Sequence, residues 1–265
     1  SEMVKEGKDQ PGHYQLNRYY IEEAFALMDK SPVLTLEQKA SLEFTYIDAL
    51  SKPWSRREGY GIPNLEKYVE IHPELFVQAV VWTYMRRGEG EDPPEWKVAP
   101  EQVQHFTERG YKLLEGLNRI PGHDDLGELK ADKLAAWIKT VRDACAELGR
   151  LDIADFCLGN LLSGAPVGND GVWPCEPVRQ VMEDVHSKKM MRGAYTGLYN
   201  SRGSIWRGEG GAQERELAEK YRAWANELRY SHPFVASELL MEMVKTYENE
   251  ADHEDMEAGI RRRLR

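Results

Sequence analysis

Apolar positions recur at intervals of three and four along most of the chain, and that spacing predicts helices nearly throughout. Leu16, Tyr19, Tyr20, Ala24, Leu27 and Met28 share one face of a helix over 14–30, which Ser31-Pro32 ends. Thr35, with Gln38 three residues on, forms a capping box that opens a second helix reaching Leu50. The link between them is so short that the two helices must fold back on each other. Beyond a proline- and glycine-bearing loop over 52–63, a short helix is expected over 64–71. His72-Pro73 then restarts the chain into 74–87, where Phe76, Val77, Ala79, Val80, Val81, Trp82 and Tyr84 make the segment apolar almost all round, as in a buried helix. A strand is the alternative for this β-branched and aromatic run. Helix is preferred because the pattern persists for about three turns and no partner strand is evident.

Residues 88–100 combine prolines, glycines and acids and read as a linker. Helices follow over 101–117, 129–148 and 152–162. The middle one gathers Leu134, Trp137, Ile138, Val141, Ala144, Cys145 and Leu148 on one face, and Gly149 stops it. A second long loop leads to helices over 176–186 and 187–198. Tyr199 to Gly211 then forms one long loop rich in glycine, arginine and tryptophan. Past it, Leu217, Tyr221, Trp224 and Leu228 give the seam of a helix over 212–230, and a last helix runs over 234–264. No segment alternates as a strand would. The expected fold is all-α, an array or bundle of about ten helices in antiparallel pairs. The pairing is compatible with a helical-repeat layout, although no fixed-period motif recurs. The expected division is a flexible lead over 1–13, an N-terminal helical part over 14–90 and a C-terminal helical part over 100–265. The two parts merge into one domain if 88–100 does not separate them.

Composition narrows the partners. Hydrophobic residues at 41% and charged residues at 30% are values of a folded chain. A net charge of -10 repels phosphate backbones and anionic lipid over most of the surface, which disfavours nucleic acid and membrane as partners. Arg261, Arg262, Arg263 and Arg265 are a local exception. They read as the solvated cationic end of a helix, and a nucleic-acid-associated helical domain is the alternative they support. Cys145, Cys157 and Cys175 fit neither a disulfide framework nor a zinc site. No apolar run approaches the roughly 20 residues of a membrane span, and the N-terminus lacks a hydrophobic signal region. Reduced thiols in a cytoplasmic protein are the expectation. The opening Ser1-Glu2-Met3 reads as the start of a piece of a longer protein.

Candidate chemistry is sparse. Glu183 with His186 and Glu250 with His253 each put a carboxylate and an imidazole three residues apart, on one helix face, as in carboxylate-bridged di-iron bundles. A metal-dependent enzyme built on these four residues is therefore the alternative function, but about one such pair arises by chance in so acidic a chain, and a solvated acidic face explains the second. Gly208 to Gly211 before a helix is not a phosphate-binding loop, since no strand precedes it and Glu209 repels an anion. His123-Asp124-Asp125 reads as a turn. Cys175 would need a base that the sequence does not place, and reads instead as a small buried contact beside Trp173. No catalytic residue, metal ligand or cofactor is assigned. The binding candidates are Tyr199, Asn200, Ser201, Arg202, Trp206 and Arg207. In that set Trp206 is a flat anchor, and Arg202 and Arg207 are charge-assisted donors.

The stretches DGVWPCEPVRQVMEDV, RGAYTGLYNSRGSIWRGEGGAQERELAEKYRAWANEL and SHPFVASELLMEMVKTYENEADHEDMEAGIRRRL cover the last third of the chain. They resemble the C-terminal helical region of large multidomain bacterial proteins associated with mobile-element or defence-like loci. That resemblance implies a non-catalytic helical interaction, scaffold or sensor module. The module would be appended to other domains, and, from the composition of the loop itself, the 199–211 loop is expected to meet another domain of the same full-length protein or a partner protein.

Overall fold

The computed structural model describes residues 18–50, 60–202 and 210–264. The expected lead over 1–13, most of the 52–63 loop, Trp206, Arg207 and the side chains of the terminal arginines lie outside the described residues. The described chain is all-α. Its helices are α1 (Arg18–Asp29), α2 (Leu36–Thr45), α3 (Ile47–Leu50), α4 (Pro63–Ile71), α5 (Glu74–Thr83), α6 (Val103–Gly116), α7 (Ala131–Glu147) and α8 (Leu151–Leu162). They continue as α9 (Glu176–Val185), α10 (Lys188–Ser201), α11 (Ala212–Leu228), a short α12 (Pro233–Val235), a π turn (Ala236–Leu240) and α13 (Met241–Leu264). Among the described residues there is no strand, only an isolated bridge between His123 and Leu129. The β-branched run at 76–84 is accordingly helical through Thr83.

The chain forms two compact units, one of residues 1–122 with 136–154 and the other of 123–135 with 155–265. Residues 88–100 lie inside the first. In that unit the capping box at Thr35 is present. Its Oγ1 accepts from Gln38 N at 3.2 Å, and Gln38 Oε1 accepts from Thr35 N at 3.0 Å. α5 is the buried helix that its composition requires, with Phe76, Val77, Ala79, Val80 and Val81 all in the core. Two boundaries differ from the pattern. The second helix breaks at Tyr46, where Arg109 donates to the Thr45 carbonyl that the helix end leaves open. α5 stops at Thr83 instead of Arg87, because the residues that follow bond outside the helix, with Arg87 N donating to Gly149 O at 3.0 Å. Arg150 Nε donates to Tyr84 O, and Arg86 donates to the carbonyls of Glu89, Glu91 and Glu147. Helix propensity is a weak preference, and such tertiary partners override it.

In the second unit, α8 and α10 touch backbone to backbone. A Cβ on Gly159 would lie 1.9 Å from Met190 O, and one on Gly193 would lie 1.9 Å from Phe156 O, so only glycine fits at either position. α13 packs against both α10 and α11. Tyr195 and Tyr199 meet Thr246 and Glu250, so contacts with α10 advance in step. Arg215 and Arg222 meet Asp255 and Glu248, so contacts with α11 run in the opposite order.

Candidate functional site

The connection between α10 and α11 carries the binding candidates, and the structure places four of them. Tyr199, Asn200 and Ser201 are not loop residues as the composition suggests, because α10 continues through Ser201. The reason is tertiary. Tyr199 stacks on Tyr195 one turn earlier, with ring centroids 6.3 Å apart, and its hydroxyl donates to Glu250 Oε1 at 2.5 Å. Ser201 Oγ donates back to Leu198 O.

Arg202 caps α10, and its side chain turns inward, only 13% exposed. One terminal nitrogen donates to Glu214 Oε1 at 2.8 Å, and the other reaches Glu250 Oε2 at 3.5 Å. The guanidinium carbon stands 5.2 Å from the centre of the Tyr247 ring, which stacks in turn on Tyr221 at 5.7 Å. Burial pushes the hydroxyls of Tyr221 and Tyr247 above the ordinary tyrosine range, and Arg202 partly offsets this. Its charge is therefore matched within the fold by two carboxylates and a ring face. Across the connection, Gly211 N donates to Asp255 Oδ1 at 2.9 Å, and Arg215 pairs with the same carboxylate. Gly211 lies so close to α13 that a Cβ there would sit 2.3 Å from Ala251 O.

The key partner, Glu214, is absent from the seam expected for α11. The buried stripe is Glu214, Ala218, Tyr221, Ala225 and Leu228, shifted from the Leu217–Trp224 register, with an acid in line. A strict period of three and four extended backwards from Leu228 reaches position 214, so the register was readable even though a carboxylate interrupts it.

The two Glu-x-x-His pairs are used elsewhere. Glu183 accepts from Phe234 N at 3.0 Å and Val235 N at 3.0 Å, capping the start of α12. His186 does not share a helix face with it. It is the residue that ends α9, at a left-handed φ of 51°, and it stacks on Phe234 with centroids 3.7 Å apart. Glu250 serves Tyr199 and Arg202, and His253 lies beside Glu257 on an exposed turn. Among the described residues no three His, Cys, Asp or Glu side chains gather as a metal would require. Asp124 Oδ1 accepts from Leu126 N and Glu128 N, which is a turn. Cys145, Cys157 and Cys175 are buried and outside any disulfide, and burial raises the Cys175 thiol, the opposite of what thiolate chemistry needs.

One cavity of about 550 Å³ opens in the first unit between Met85, Arg87, Gly149 and Asp152. Its arginines are already engaged. Arg150 is held by Asp92, Arg87 pairs with Asp152 at 3.2 Å, and Arg86 donates to three carbonyls. No helix among the described residues is long and apolar enough to cross a membrane. Comparison with protein-family models, with curated proteins and with solved structures gave no match.

Proposed function

We propose that this chain is a non-catalytic helical interaction module that docks through the connection over 199–211. Its counterpart is another domain of its own full-length protein, as the resemblance of its last third implies, or a separate protein chain. The observation that carries this reading is the clamp at both ends of the connection. Arg202 is tied to Glu214 and Glu250, Tyr199 to Glu250, and Gly211 and Arg215 to Asp255. Segments held by rigid helices on both sides are where binding residues concentrate, because the scaffold fixes what the segment presents. Arg202, first considered as a donor to a partner, acts here as the anchor of the base. Trp206 and Arg207 are then the side chains proposed for contact, as an aromatic anchor beside a charge-assisted donor.

The test separates docking from folding. Trp206→Ala with Arg207→Ala should leave the urea unfolding midpoint within experimental scatter while removing association of the module with its neighbouring domain or partner. A fall in the midpoint with association intact would mean that these residues are core, and would remove the proposal.

A further inference from the structure

We draw no further inference here: the strongest candidate, the cavity of about 550 Å³ between Met85, Arg87, Gly149 and Asp152 in the first unit, has its arginines already tied to Asp92, Asp152 and backbone carbonyls, and nothing in the structure shows what would fill it.

Discussion

Several buried or half-buried acidic side chains among the described residues serve as acceptors for the chain itself. Glu43, fully buried, takes Asn64 N, Asn64 Nδ2, Leu65 N and the Tyr60 hydroxyl, and so secures the start of α4. Glu66 takes the amides of Asn118 and Arg119, and Glu70 takes that of Gly122. Such partners lie tens of residues away, so a sequence pattern shows the surplus of acids without showing their use. Asp92 illustrates the consequence for pH. Its hydrogen bond to Arg150 holds the carboxyl below the ordinary aspartate value of 3.8, so the unfolded chain binds the proton more readily than the folded one. The pair's stabilisation is therefore complete above that value and lost as pH falls through the depressed folded one. Asp92→Asn should cost about 3 kcal/mol at neutral pH, since it leaves Arg150 buried without its charge partner. It should also flatten the acid limb of the urea midpoint plotted against pH. An unchanged acid limb would show that the pair does not set it. Arg202→Met should likewise cost about 3 kcal/mol by stranding Glu214, and adding Glu214→Leu should recover most of that loss. Chemical denaturation of the single and double variants checks this.

Among the elements, helix existence was legible, and most helix ends fall within two residues of the pattern. The period of three and four located nearly every helix, as did the capping box at Thr35, because both signals are local. Ends moved where distant groups took over terminal carbonyls or side chains. α5 stops early where Arg150 takes the Tyr84 carbonyl, and α10 runs on because Glu250 holds Tyr199. Glu183 shows the same principle at α12. A Glu-x-x-His spacing suggested a metal ligand, whereas the carboxylate caps a helix start that lies 51 residues away. Replacing it should therefore act on that helix. Glu183→Ala is expected to cost about 1 kcal/mol. It should also speed amide exchange at Phe234 and Val235, while exchange within α11 stays unchanged. Equal protection at those two amides would contradict the cap.

For the molecule as a whole, the pattern established the all-α class but neither the division into units nor the buried Glu214 in the seam of α11. Both depend on contacts far apart in sequence. The binding candidates divide in the same way. Arg202 proved to be an internal anchor because its partners come from α11 and α13, and only the three-dimensional arrangement assembles them. That leaves residue 206 as the position through which the docking account is most exposed to test. A photo-crosslinking amino acid placed there in the full-length protein, in its own cells, should give one defined product with a neighbouring domain or a single partner chain. The same group at exposed Tyr230 should not give that product. No product from position 206, or an identical set from both positions, would contradict the account.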